Sequence, residues 1–260
     1  NDEEAFENSR LPIVELQKHL GFKTRQCLSK KDFFDAILEE TPELIIVDSH
    51  GGVDLKTNQS HIVIGTDIVT GEDVVKSGIA PRLVFLSACN TFTTYNTVST
   101  IANAFFEVGA MAVTVSYMPI LIQPATVLYA RLLRNLEEAA IRNIHHNWLA
   151  FISHLLRTSF IMSPLEVLQS EKIDSTIIKN LGRLNTLSMD FRNRSQIYHQ
   201  LHDKYSMDQI GVNYNMLLPH YLMYSTLGRA DLVRFESAME EINSFRGISG
   251  NIPQNRKPCK

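Results

Sequence analysis

Two apolar runs in this chain each stop at a side chain that can do chemistry. Leu44-Ile45-Ile46-Val47-Asp48-Ser49 leads into His50-Gly51-Gly52, and Leu83-Val84-Phe85-Leu86-Ser87-Ala88 leads into Cys89-Asn90-Thr91. A free thiol has a pKa of about 8.5, so only ~3% is thiolate at neutral pH. An imidazole within hydrogen-bond reach can take the thiol proton and later protonate a leaving amine. His50 and Cys89 are therefore candidates for a general base and a nucleophile, provided that the two runs lie side by side.

Short runs rich in Ile, Val and Leu that end at Gly or Asn predict buried parallel strands. In open α/β sheets, functional groups gather at the carboxyl ends of such strands. The surrounding pattern supplies the rest of the scaffold. Leu11 to Leu20 predicts a helix stopped by Gly21, and Lys23 to Leu28 a short strand. Ser29 reads as the cap of a helix that buries Phe33, Phe34, Ile37 and Leu38 and ends before Pro42. After His50 comes a polar loop, Asp54 to Ser60, then a strand, His61 to Ile64, as one arm of a surface hairpin ending at Gly65. Thr70-Gly71-Glu72-Asp73 has the form of a capping box, for a helix through Val75 that ends near Gly78. Thr91 to Thr97 reads as an exposed loop, Ser99 to Val108 as a helix, Ala112 to Ser116 as a third strand and Ala125 to Leu136 as an amphipathic helix. This alternation argues a mainly parallel sheet with helices on both faces. A helix at the start with no strand before it implies that the first strand of the sheet lies upstream or comes from elsewhere.

Beyond Asn143 the strand pattern fades. Trp148, Phe151, Ile152 and Leu155 form a helical stripe that reads as core. Helices are predicted at Pro164 to Gln169, Ser195 to Tyr205, Tyr214 to Leu227 and Ala230 to Phe245, with a polar linker at Asn185 to Ser195. The tail from Gly247 to Lys260 has the composition of a disordered segment. The expected organisation is a domain over 1–142, a helical extension over 143–246 and a tail over 247–260. The 260 residues are 44% apolar with a formal net charge of −3, which implies no strong field for nucleic acid or a membrane surface. Three cysteines, Cys27, Cys89 and Cys259, make no disulfide framework and suit a reducing cytoplasm. No run of apolar residues is long enough to span a bilayer. The start, Asn1-Asp2-Glu3-Glu4, is neither a secretory leader nor an initiator Met, so the sequence is expected to be a piece of a longer protein.

The ordered pieces resemble the CHAT domain, a caspase-like, separase-related group of cysteine peptidases. The likeness rests on Ile46-Val47-Asp48-Ser49-His50-Gly51-Gly52, on Leu83 to Thr91, and on Ile101 to Ala110 with its terminal Gly109-Ala110, and it runs from about Leu11 to about Leu136. Two stretches depart from it. Phe92-Thr93-Thr94-Tyr95-Asn96 stands where many members carry a Gly-rich loop, and Ser116-Tyr117-Met118-Pro119 where many carry a Trp; both bear on substrate preference more than on fold. The resemblance implies a caspase-like α/β fold followed by a mostly helical part, and a cysteine endopeptidase with Cys89 as nucleophile and His50 as base and acid. It assigns the oxyanion hole to the N–H groups of Gly51 and Cys89. Ser116, Tyr117 and Met118 are assigned a share of the substrate pocket. The substrate would be a protein held as an extended strand. Neither cofactor nor metal is implied. Such domains commonly follow repeat or sensor modules in bacterial defence systems, so activity gated by such a partner is expected.

Bland readings stand beside these. A buried Cys at a strand end is most often an inert apolar residue, and His50 before Gly-Gly could simply cap a turn. On that reading the chain is an inactive CHAT-like scaffold that binds protein partners. Asp48 shares a strand face with His50 and could orient it. Gly51-Gly52 lacks the spacing of a dinucleotide loop, which counts against a nucleotide-binding domain. His199, His202 and Asp203 could form half a metal site but read better as a solvated helix face. His145 and His146 would diverge on a helix. Cys27 reads as core and Cys259 as part of the tail.

Overall fold

The computed structural model describes residues 10–93 apart from Pro12, then 99–142, 145–159 and 220–235, with Thr176, Lys179, Asn180 and Arg183 as isolated positions. A short helix at 13–17 comes first, followed by an irregular stretch over 22–27 where the sequence predicts a strand. Helix α1 (Lys30–Glu40) starts at Ser29, whose side chain accepts the Asp32 N–H, and stops at Thr41 in the left-handed region. Strand β1 (Leu44–Asp48) follows Pro42. The chain then reverses into three antiparallel strands, β2 (His50–Asp54), β3 (Gln59–Ile64) and β4 (Asp67–Thr70), which form a separate small sheet in the order β2-β3-β4. Thus His50 begins a strand rather than a loop. Helix α2 (Gly71–Ser77) opens with the capping box expected at Thr70 and Asp73. Strand β5 (Leu83–Ser87), helix α3 (Ile101–Glu107), strand β6 (Ala112–Ser116), helix α4 (Ile122–Arg142) and helix α5 (Trp148–Thr158) complete this part.

The main sheet has four strands, in the order β1, β5, β6 and a last strand near the C-terminal end of the described residues. Its first three strands are parallel and paired as Leu44↔Leu83 and Leu83↔Ala112 onward. The fourth, β7 (Tyr224–Gly228), runs antiparallel to β6, pairing Ser116↔Tyr224 through Ala112↔Gly228. This corrects the helix predicted over Tyr214 to Leu227: a 3-10 turn, His220–Met223, leads directly into a strand. A second 3-10 turn, Ala230–Leu232, stands where the helix from Ala230 was predicted to begin. The segments predicted at Pro164 to Gln169, Asn185 to Tyr205, Tyr214 to Pro219, Glu236 to Phe245 and the tail lie outside the described residues, as does Thr94 to Val98 of the loop after Cys89.

Strands β5 and β6 are buried at every position because helices cover both faces. On one side Val47, Val84, Leu86, Val113 and Val115 pack with Phe33 and Ile37 of α1, Val74 of α2, Ile101 and Phe105 of α3, and Ile62 and Val69 of the small sheet. On the other, Leu83, Phe85 and Ala112 pack with Tyr129 and Leu132 of α4, the Trp148, Phe151, Ile152 and Leu155 stripe of α5, and Tyr224. Each large side chain so buried stabilises the fold by ~1.5–3 kcal/mol. The two cores clamp the sheet so that its carboxyl ends, at Asp48, Ser87 and Ser116, form one edge of the scaffold.

Candidate active site

Parallel pairing of β1 with β5 sets Asp48 opposite Ser87, and the Ser49 N–H continues the ladder by donating to the Ser87 carbonyl at 3.2 Å. Both strands therefore end at the same level. Gly51, one residue into β2, then presses against the backbone of Cys89. A Cβ on Gly51 would sit 2.3 Å from the Cys89 carbonyl oxygen and 3.1 Å from its nitrogen. Only glycine permits that approach. It brings His50, one peptide unit or about 3.8 Å of chain away, to the side of Cys89. His50 is exposed, and Cys89 is half-buried and free.

The turn carrying Cys89 is fastened from two directions. Asn90 adopts φ 54°, a left-handed conformation that Asn tolerates better than most residues. The Phe92 N–H donates to the Ser116 carbonyl at 3.0 Å, the Ser116 N–H donates to Thr91 Oγ1 at 2.9 Å, and the Ser116 hydroxyl donates to the Ala88 carbonyl. From the small sheet, buried Ser60 donates to the Thr91 carbonyl at 3.3 Å and accepts the Ile101 N–H at 2.7 Å. The Asn90 N–H also reaches the Met118 carbonyl, at 3.5 Å. Among the described residues, no acceptor takes the Cys89 N–H. Among the described residues, Ile120 holds the sulfur: the Ile120 N–H donates to Cys89 Sγ at 3.3 Å, and the thiol faces the Ile120 carbonyl at 3.6 Å.

Of the three residues assigned to a substrate pocket, Ser116 is fully buried, with its hydroxyl spent on the Cys89 turn. Tyr117 stands edge-on to Phe92, and Met118 is 48% exposed, so these two lie at the rim. Asp48 does not extend a strand towards His50, because β1 ends before His50 and β2 belongs to another sheet. Its carboxylate accepts the Tyr129 hydroxyl at 2.6 Å and the Ser87 hydroxyl at 3.1 Å. Burial pushes the Asp48 carboxyl above its ordinary range, against the pull of those two hydroxyls and of the His50 charge. Burial, reinforced by Asp48, raises Tyr129 as well.

Sequence reasoning missed Tyr129, Tyr224, Ser60 and Ile120. Asp48 and Ser87 were readable as polar ends to apolar strands, but their partners lie on distant elements without a local motif. The other candidates fall elsewhere. His145 and His146 lie in the turn between α4 and α5 instead of on a helix. His145 is buried with its ring against Phe151 and His154, and burial together with the neighbouring histidines pushes it down to about 4. Cys27 is half-buried beside the core of the α1 face. His199, His202, Asp203 and Cys259 lie outside the described residues. Among the described residues, no three His, Cys, Asp or Glu could hold a metal ion, and no helix is long and apolar enough to cross a membrane.

No curated protein matches the chain. The family model of the CHAT domain matches residues 9–144, just over half of the 260. That span takes in the small sheet that begins at His50, the three parallel strands and the turn that carries Cys89, and the chain belongs to the CHAT-domain family, a caspase-like, peptidase-related group.

Proposed function

We propose that this chain is a cysteine endopeptidase. The observation that carries the reading is the close fit of Gly51 on the backbone of Cys89, which sets an imidazole-bearing strand start beside a thiol-bearing strand end. In the reaction, Cys89 Sγ attacks a peptide carbonyl while His50 takes the thiol proton. The proton then passes to the leaving amine, the C–N bond breaks, and a thioester to Cys89 remains. His50 next takes a proton from water, which attacks the thioester and releases the acid. The Cys89 N–H, which has no acceptor among the described residues, is available to the developing oxyanion, and Gly51 is the second donor. Tyr117 and Met118 border the substrate.

The hold of Ile120 on the sulfur supports a gated resting state. A substrate carbonyl must displace that contact before it meets Sγ. The activating partner would be a sensor or repeat module, and the setting a cytoplasmic bacterial defence system; family resemblance is the support for both. The test is cleavage of a peptide library and of candidate partner proteins by the chain, with Cys89→Ala and His50→Ala as controls. Cleavage that both substitutions abolish is expected. A folded chain without Cys89-dependent cleavage in the presence of its activating module would favour a partner-binding scaffold instead.

A further inference from the structure

His50 is exposed at the first position of β2, so burial does not fix its rotamer. Side chains alternate between the two faces of a strand, and directly paired residues of antiparallel strands share a face. Gly51 is paired with Ile62, whose side chain is fully buried, so Gly51 belongs to the face turned towards the core. His50 therefore belongs to the opposite, outer face of the small sheet. Gly52 is the next residue of β2 on that face, and Val63 and His61 are its members on β3.

These three residues bound the space around the imidazole. Val63 is half-buried and paired directly with His50, which closes the side towards β3. Ahead along β2 stands Gly52, about 6–7 Å from His50. A glycine has no side chain to block that direction, so an imidazole at position 50 has room to lie over the bare backbone, away from Cys89. His61 takes up that room. It is paired with Gly52, and its ring reaches across onto β2: a Cβ on Gly52 would stand 3.3 Å from His61 Nε2 and 3.4 Å from Cε1. In the opposite direction lies the end of the main sheet, where the charge of His50 reaches Asp48.

We propose that His61 is a positioning residue: its ring, laid across Gly52, closes the outer face of β2 to the His50 imidazole and keeps that imidazole on the side of Cys89. The role is steric. A flat ring without nitrogen atoms serves equally, whereas a short side chain reopens the slot over Gly52. A side-chain torsion of this kind has three staggered wells, so confining His50 to one of them raises the fraction of chains with the base in place by up to about three-fold. For its effect on catalysis the proposal rests on the peptidase reading; the rotamer of His50 is measured without it.

Two readouts on the full chain test this. With histidine side chains isotopically labelled, three-bond couplings across the His50 Cα–Cβ bond report its rotamer populations. A single rotamer is expected in the parent and in His61→Phe, and an average over wells in His61→Ala. Averaging already present in the parent, or a single rotamer kept in His61→Ala, overturns the proposal. His61→Thr, short and suited to a strand, gives the same reading where His61→Ala is too unstable to measure. The second readout is peptide cleavage. His61→Ala is expected to lower kcat about three-fold with KM unchanged, and His61→Phe to restore it, with urea midpoints confirming that each chain is folded. A loss that His61→Phe does not recover overturns the steric role. Cleavage at one rate by parent and variants overturns the proposal and leaves the peptidase reading standing. Averaging of His50 in His61→Ala, with no chain cleaving any peptide, supports the positioning and overturns the peptidase reading.

Discussion

A single methyl group at position 51 tests the site at its narrowest point. Gly51→Ala would place a carbon 2.3 Å from the Cys89 carbonyl oxygen, and both atoms belong to backbone that cannot swing aside. The strand must retreat, carrying His50 with it. A displacement of that kind is expected to cost about 100-fold or more in kcat/KM, together with ~1–3 kcal/mol of stability in urea melts. Unchanged values of both would refute the close fit. Asp48 gives a prediction of opposite sign for stability. Burial raises its folded carboxyl above the ordinary value, so the folded chain keeps that proton to higher pH than the unfolded chain. Its contribution is then most favourable in acid, declines as pH rises towards the raised value, and stays low above it. Asp48→Asn should stabilise the chain at neutral pH, with the gain over the parent narrowing in acid, as read by urea melts across the pH range.

Between elements, Ser60 links the small sheet to the Cys89 turn and to the start of α3. Ser60→Ala strands the buried Ile101 N–H, and the expected loss is ~1–3 kcal/mol with a drop in cleavage; Ser60→Thr, which keeps the hydroxyl, should restore part of both. The urea midpoint and kcat/KM of the three chains check this. The sequence was legible where packing is two-sided: β5 and β6 are mostly apolar and buried at every position, and the capping box of α2 is a local signal. It was less legible where an element depends on distant partners. His50-Gly51-Gly52-Val53-Asp54 has few apolar residues, yet pairing with Gln59–Ile64 makes it a strand. Tyr224-Ser225-Thr226-Leu227-Gly228 continues a stretch whose Leu and Met spacing suits a helix, and pairing along β6 decides otherwise. His50 and Cys89 stand out in the sequence as the residues at which two apolar runs stop. Tyr129 and Tyr224 do not, since only the assembled sheet brings them to Asp48.

At the scale of the whole molecule, the core on the α4 side draws on residues far apart in the chain. Phe85 and Leu132 are buried against Trp148, Phe151, Leu155, Tyr224 and Phe235. A chain ending at Arg142 should therefore bind a dye specific for exposed apolar surface and lose its cooperative urea transition, even though it holds nearly all of the span matched to the family. A sharp transition at the parent midpoint would show that this core is dispensable. The antiparallel last strand also has a bearing on how the molecule is made. Thr114 and Thr226, which share a 2.9 Å hydroxyl contact between β6 and β7, are 112 residues apart. A ribosome adds ~5–20 residues per second, so on the order of ten seconds pass between synthesis of one partner and of the other. During that interval a nascent chain already holds His50 and Cys89 but has no Tyr224 to close the sheet edge. Translation itself thus imposes a delay before the thiol end of the molecule is fully built.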